Sequence, residues 1–203
     1  MKIPLFPLDV VLLPGAALPL HIFEPRYKEM AGLCLQQKSG FGVVRAQRHG
    51  MAVTGCMASI VSVLRRWPDG RMDILCRGEG RFQVRALDAG RSYLQAEADF
   101  FDDIDSACPR EDLQRCVALH REMQWLTGND GTGVIPPAGP GAPVSFLLAA
   151  EAPMGLDLKQ WLLESRSERL RLARMEEFYN ALLPRLRTGV LACGAANSAG
   201  RVM

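Results

Sequence analysis

The sequence predicts an α+β fold in which a barrel of short β-strands in the first half is followed by a helical half. Apolar and polar residues alternate over 81–86 and over 94–100, which is the period of a half-buried strand. Turn residues separate such segments at spacings of about ten residues, a pattern that favours a closed or nearly closed antiparallel barrel of about five or six strands. After about Pro109 the apolar residues recur at helical intervals instead.

The first strands are broken by prolines. Between Ile3 and Phe23 the chain carries one formal charge, Asp9, and four prolines, at positions 4, 7, 14 and 19. Because proline cannot donate a hydrogen bond to a neighbouring strand, these extended segments are expected at sheet edges or barrel corners, with a turn at Pro14-Gly15. The last of them leads into a helix predicted over 24–37, since Pro25 suits a first helical turn.

Two hairpins are predicted in the remainder of the first half. Strands over 59–67 and 71–77 flank Pro68-Asp69-Gly70, where proline sets the first turn angle and glycine tolerates a positive φ. The stretch 88–91 lies between the two alternating segments and is typical of a hairpin loop. Gly78-Glu79-Gly80 predicts a bulge or a sharp bend.

The second half predicts helices joined by loops. Apolar intervals indicate helices over 110–126, 144–152 and 158–163, and a final helix that Pro184 must kink or end. The Gly- and Pro-rich stretch 127–143 predicts a long loop. The predicted organisation is therefore a β-rich subdomain with one helix over 1–107, a helical subdomain over 108–187, and a disordered tail over 188–203, where periodicity is lacking.

Composition limits the functional classes. The formal net charge of +2 is too small for non-specific nucleic-acid binding, which needs a strong basic excess. The 6 cysteines contain no C-x-x-C pair, so neither a zinc site nor a redox motif is predicted, and reduced thiols fit a cytoplasmic protein. Prolines and a charge interrupt the opening apolar run, so neither an export signal nor a membrane span is predicted.

Three segments resemble one family. The series FPLDVVLLPGAALPLHIFEPRYKEM, residues 6–30, is similar to the opening of the LON substrate-binding domain, the amino-terminal domain of ATP-dependent Lon proteases. That domain also occurs in cereblon and in short bacterial proteins that consist of it alone. GEGRFQVRAL, residues 78–87, and DLKQWLLESRSERLRLARMEEFYNALL, residues 157–183, resemble further parts of the family pattern. The resemblance implies a PUA-like β pseudo-barrel followed by a C-terminal helical bundle, and a role in recognising protein substrates or partners.

No catalytic constellation is predicted. The chain contains no Gly-Lys dipeptide and hence no phosphate-binding P-loop, so ATP hydrolysis by a Lon-type ATPase module is not expected of it. The 3 histidines lie outside any recognisable nucleophile motif, and Cys76 falls in a strand, where it is expected to be a small buried side chain. The chain is therefore expected to be no enzyme, with no cofactor and no bound metal.

Five residues of the opening signature are candidate binding residues: His21, Phe23, Glu24, Arg26 and Tyr27. Polar groups beside an apolar barrel rim can orient a bound peptide by hydrogen bonds. The structural alternative is that Glu24 caps the following helix and pairs with a nearby basic residue, while Tyr27 packs inward.

The predicted function is a non-catalytic module that holds unfolded or extended polypeptide segments against an apolar surface near the barrel rim and at the junction of barrel and helices. Alternatives are an RNA-binding PUA-like module, an adaptor to a separate ATP-dependent protease, and an enzyme of unrecognised type. The arginines at 166, 169, 171 and 174 are more simply a solvated helix face paired with nearby glutamates, so nucleic acid is not the expected partner. Asp102, Asp103 and Asp105 are likewise expected to form a solvated loop.

Overall fold

The structure, a computed structural model, describes residues 1–105, 108–128 and 143–199, with side chains as far as residue 189. The α+β fold class is confirmed. The strands are β1 (Lys2–Leu8), β2 (Ala17–Ile22), β3 (Phe41–Gln47), β4 (Gly50–Arg66), β5 (Met72–Asp88) and β6 (Gln95–Phe101). The helices are α1 (Pro25–Gln37), α2 (Arg110–Leu126), α3 (Val144–Glu151), α4 (Leu156–Glu164) and α5 (Glu168–Ala199).

The strands pair around a barrel-like sheet in the order β2-β5-β4-β3-β1-β6, and β6 pairs with β5 as well. The circuit β1-β3-β4-β5-β6 is therefore continuous. One prediction was wrong: β1 and β3 are parallel, with Leu5 opposite Gly42, so the barrel is not purely antiparallel. The crossover is possible because β2 and α1 lie between these strands in the chain and supply the long connection that a parallel pair needs.

Three of the four prolines of the opening segment, Pro4, Pro7 and Pro19, lie in strands at positions with one neighbouring strand in register. β2 pairs only with β5 and contains Pro19, which confirms an edge strand. β1 pairs with β6 over 2–4 and with β3 over 5–8, so each of its prolines has one neighbouring strand in register. Between β1 and β2 the chain runs outside any strand and turns at Pro14-Gly15, as predicted.

β4 and β5 form a hairpin longer than predicted. The predicted turn is confirmed, with Gly70 at φ 84°. β5 continues through 78–80, where its register against β4 shifts. Gly78 is needed there because a Cβ at this position would lie 2.1 Å from the carbonyl oxygen of Leu13. The opening segment thus packs directly on the backbone of β5.

One hydrophobic core extends through both halves of the molecule. It joins barrel residues such as Phe41 and Ile74 to helical residues such as Phe146 and Met175, and all four are essentially inaccessible to solvent. α2 packs along α5, α3 contacts both α5 and α4, and α4 contacts β4 of the barrel. The core therefore crosses the first of the predicted subdomain boundaries. These boundaries stay predictions.

The final helix differs from its prediction. Pro184 lies inside α5, and the Thr188 hydroxyl donates to the Pro184 carbonyl at 2.9 Å. The helix continues to Ala199, although a disordered tail was predicted from 188. The alanines and leucine of this stretch have high helix propensity, although they do not form an apolar stripe of helical period. Residues 200–203, and 129–142 of the predicted loop, lie outside the described residues.

Candidate functional site

Two of the candidate residues meet at one exposed end of the barrel. The His21 ring stacks on Phe23 with 5.8 Å between ring centroids, and it forms a T-shaped pair with Trp67 with 5.5 Å between centroids. Phe23 is 57% exposed. We call His21, Phe23 and Trp67 the rim cluster. Trp67 was not predicted for the site; it arrives from the β4–β5 hairpin, and the usable signal was an aromatic residue directly before a turn.

The polar candidates at this end are paired with each other or with neighbours. His21 Nδ1 lies 2.6 Å from Asp73 Oδ1, and Arg26 Nε donates to Glu24 Oε2 at 2.9 Å. Glu24 occupies the N-cap position of α1 but makes no capping hydrogen bond with its side chain. The expected pairing of Glu24 is thus confirmed and its expected capping is wrong. A role of these residues in binding stays a prediction.

Tyr27 belongs to the core and not to the exposed site. Its ring packs against Phe6 with 4.0 Å between centroids, and it is almost fully buried. Burial raises the pKa of Tyr27. This confirms the alternative in which Tyr27 packs inward, so its side chain is not available to a ligand at the barrel rim.

An apolar groove lies at the junction of barrel and helices. It has a volume of about 370 Å³. We call it the junction groove. Its barrel wall is formed by residues of the opening signature, and its helical wall by residues of α3 and α4; together they are Val11, Leu12, Leu13, Gly15, Ala16, Ala17, Leu18, Leu147, Ala150, Glu151 and Lys159. The sequence predicted an apolar binding surface at this junction, but it did not identify these residues individually.

Two charged groups line the otherwise apolar groove. Glu151 Oε2 accepts a hydrogen bond from Gln124 Nε2 at 2.7 Å and lies 3.3 Å from His120 Nε2. The other ring nitrogen of His120 lies 2.8 Å from the Tyr179 hydroxyl. Burial lowers the pKa of His120, although Glu151 opposes this. Burial also lowers the pKa of Lys159.

A buried ionic network holds the helices against the barrel. The Arg171 side chain is 0% exposed, and its Nη2 donates to Asp103 at 2.5 Å and to Glu168 at 2.7 Å. Arg81 of β5 donates to the same Asp103 at 2.5 Å. Burial alone would raise the pKa of Asp103, but the hydrogen bonds and charges of the two arginines outweigh it and hold this pKa below its usual range.

The network corrects two expectations from the sequence. Asp103 and Arg171 were expected in solvated positions; instead Arg171 is fully buried, and the Asp103 carboxylate is only 11% exposed and pairs with it. Glu168 Oε1 also accepts the Ser145 backbone N–H at 2.9 Å, which fixes the start of α3. The network therefore sets the position of the helical wall of the junction groove.

The described residues offer little for catalysis. Burial raises the pKa of Cys56, Cys76 and Cys116 to about 12 in each case, so these thiols stay protonated and poorly nucleophilic. Within this part of the chain, no three His, Cys, Asp or Glu side chains are grouped so that they could bind a metal ion. None of the helices described is both long enough and apolar enough to span a membrane.

A second, larger depression of about 730 Å³ is polar and contains charged side chains of both signs. Arg85 Nε donates to Asp99 Oδ2 at 2.5 Å, and Arg166 Nε donates to the Asp102 carbonyl at 2.9 Å. Two aspartates lie beside the two arginines in this lining, so it lacks the strong basic excess that binding of a phosphate backbone needs. This depression therefore does not favour nucleic-acid binding.

Sequence comparisons show that the chain is similar to one domain of a family of ATP-dependent proteases. The family model described as the ATP-dependent protease La (LON) substrate-binding domain matches residues 2–181. A Lon protease of Parabacteroides distasonis is 33% identical over 110 residues, which are 50% of this chain and 13% of that protein. A Lon protease of Roseiflexus castenholzii is 32% identical over 109 residues, 50% of this chain and 14% of that protein. The match thus spans a small part of each relative's length.

Solved structures show the same architecture. The Lon N-terminal domain protein from Xanthomonas campestris superposes with a TM-score of 0.68 at 26% identity, over 86% of this chain and 96% of that one. The N-terminal domain of the Lon protease from the Mycobacterium avium complex gives a TM-score of 0.67 at 16% identity, over 89% of this chain and 98% of that one. The second likeness concerns the fold alone.

Proposed function

Because the chain belongs to the LON substrate-binding domain family, we propose that it is a non-catalytic module that binds extended or unfolded segments of other proteins in the junction groove. The observation that carries this proposal is that the opening signature, residues 11–18 in particular, forms one wall of an open apolar groove. An open groove with apolar walls suits side chains that a folded protein would hide.

The groove suits weak, non-selective binding. Burial of one apolar side chain contributes roughly 1.5–3 kcal/mol, and a groove of this size accepts only a few such side chains. Association and ordering of the bound segment oppose that gain. The expected binding is therefore reversible and tolerant of sequence, as recognition of many unfolded proteins requires.

The test is a titration with a reduced, carboxymethylated protein chain that cannot refold, with the native form of the same protein as a negative control. Ala150→Arg places a long charged side chain over the groove and is expected to weaken binding at least tenfold. Ala118→Arg makes the same change at an exposed position of α2 and is expected to leave the affinity unchanged. Equal affinities for the two variants would refute the junction groove as the binding site.

The RNA-binding alternative gains no support from the charges around the polar depression. It would require tight binding of single-stranded RNA with an affinity that falls steeply as salt rises. The proposed function expects the opposite pattern, in which binding of the carboxymethylated chain changes little with salt because apolar contacts dominate. Steep salt dependence for RNA together with no binding of unfolded protein would favour the alternative.

A further inference from the structure

The outer edge of β2 has backbone groups with no strand partner in the part of the chain that the structure describes. The alternation of the antiparallel ladder identifies these groups. Gly78 N–H donates to the Ala16 carbonyl at 2.9 Å. Because every second residue of an antiparallel strand directs its backbone N–H and C=O toward the same neighbour, residues 18 and 20 also direct theirs toward β5. Ala17, Pro19 and His21 lie between them and direct their backbone groups outward. Pro19 fits this pattern, because its missing N–H would face away from β5.

This edge connects the two parts of the candidate site. Ala17 and Leu18 line the junction groove, and His21 belongs to the rim cluster. At about 3.3 Å per residue, the strand from Ala17 to Ile22 is roughly 17 Å long. An extended segment of about six residues would therefore run along the edge from the groove to the exposed aromatic rings.

We propose that an extended segment of the bound protein pairs with the outer edge of β2 as an additional strand, with apolar side chains entering the junction groove. The inference rests on the proposed function and specifies its mode of recognition. The edge offers the N–H groups of Ala17 and His21 and carbonyls at 17, 19 and 21, at the repeat of a strand. Only an extended polypeptide matches that repeat, and neither a nucleic acid nor a lipid does.

A second unpaired edge in the barrel is less suited to this role. Pairing of β3 with β4 ends at Phe41 and Ala58, so β4 has one neighbour over 59–66. The register against β5 shifts twice in that stretch, and it ends in Arg65 and Arg66. Bulges, charges and prolines are the features by which proteins block strand pairing at exposed edges. The β2 edge has Pro19, which removes one outward donor, but it has no register shift and no arginine or lysine, and it borders the groove.

The first test uses the unmodified protein and synthetic peptides. The reference peptide has ten residues of alternating valine and threonine, flanked by lysines for solubility. Backbone N-methyl groups on one edge of the extended peptide, on the other edge, or on both edges remove hydrogen bonds and leave the side chains unchanged. Methylation of both edges is expected to weaken binding at least tenfold, while at least one singly blocked peptide binds within about twofold of the reference. Equal binding of all four peptides would overturn strand addition.

The second test changes the protein. Ala17→Pro removes one outward N–H, whereas Ala17→Val enlarges the side chain and keeps that donor. The proline variant is expected to bind the reference peptide at least fivefold more weakly than the valine variant, with similar melting temperatures. If Ala150→Arg abolishes binding while Ala17→Pro and N-methylation have no effect, the groove is the site and strand addition is wrong. If none of these changes matters, the proposed function fails as well.

A second copy of the chain is the competing occupant of this edge. Sedimentation of the protein alone decides this case. A dimer that Ala17→Pro dissociates, and that the reference peptide does not displace, would mean that the edge serves self-association, and it would contradict the proposal. A monomer that binds the unmethylated peptide in a one-to-one complex is the expected result.

Discussion

Arg171 is the fully buried charged side chain of the network that holds the helices against the barrel. It lies fully inside the protein because Asp103 and Glu168 balance its charge and the Ser145 hydroxyl accepts from its Nε at 2.8 Å. A buried pair of this kind adds little stability over apolar residues of equal size. The loss of one partner, in contrast, leaves the other charges buried without compensation.

Arg171→Met is therefore expected to lower the free energy of unfolding by about 3–5 kcal/mol. Arg174→Met, which removes an exposed partner of Glu177 one turn further along α5, should lower it by only about 0–1 kcal/mol. Urea denaturation of both variants measures the difference. Similar losses in the two would mean that the buried network does not fix the helices to the barrel.

His120 links the stability of the helical half to pH. Its folded pKa lies below the unfolded value of about 6.5, so the unfolded chain takes up a proton that the folded chain does not. The free energy of unfolding is therefore not reduced by His120 at pH values above the unfolded pKa, and it falls as pH decreases from about 7 toward the folded pKa. Loss of stability through Asp103, whose pKa is lowered, begins only near the unfolded aspartate value of about 3.9.

His120→Gln should flatten the unfolding free energy between about pH 7 and pH 5 while leaving the acid transition near pH 4 in place. Urea titrations at a series of pH values give the two slopes. An unchanged slope above pH 5 would show that His120 does not carry the pH dependence. Arg171→Met, measured in the same way, should keep the slope that His120 causes between about pH 7 and pH 5, and it serves as the comparison.

At the scale of elements, the contact between the opening segment and β5 shapes the barrel wall of the groove. Gly78→Ala would place a methyl group 2.1 Å from the Leu13 carbonyl oxygen, where backbone has to move. We expect a loss of about 1–3 kcal/mol from this overpacking. The matched control, Gly32→Ala, adds a methyl group to an exposed position of α1 with nothing within 4 Å. It should stabilise the protein by about 0.5–1 kcal/mol, because alanine favours the helix.

Thermal unfolding of the two glycine variants separates these effects. A lower midpoint for Gly78→Ala and a raised one for Gly32→Ala are the expected results. A raised midpoint for both would mean that the opening segment is free to move away from β5, and the groove would then lack a fixed wall.

Neighbouring residues were enough to predict turns, one edge strand and most of the helices. Proline and glycine chemistry gave the edge position of β2 and the Pro68-Asp69-Gly70 turn, and apolar spacing gave most helices. The parallel pairing of β1 with β3 depends on which distant segments meet, and nothing in either strand encodes it locally. The helical stretch after Thr188 was missed because alanine-rich sequence favours a helix without an apolar stripe.

The candidate site was predictable in location more than in detail. An apolar signature run implied an apolar surface, and its residues do line the groove. Leu147 and Ala150 face it from a helix more than a hundred residues away, so their role depends on tertiary packing that the sequence does not display. Arginine and aspartate residues mostly lie at protein surfaces, and for that reason Arg171 and Asp103 were misassigned.

At the scale of the whole molecule, the continuous core predicts that barrel and helices unfold together. Trp67 reports on the barrel and Trp161 on the helices. The chain has 3 tryptophans. Two variants, one that keeps only Trp67 and one that keeps only Trp161, with phenylalanine in place of the remaining tryptophans, should show the same urea midpoint by fluorescence. Two separated midpoints would show that the predicted subdomains 1–107 and 108–187 are independent folding units.

The central claim is that the junction groove and the edge of β2 hold a bound polypeptide, and hydrogen exchange at single-amide resolution tests it most directly. On addition of the carboxymethylated chain, we expect slower exchange at Ala17 and His21 and in α3, with no change around Arg85 and Asp99. Protection confined to the polar depression, or no change along β2 and α3 under saturating conditions, would contradict the account.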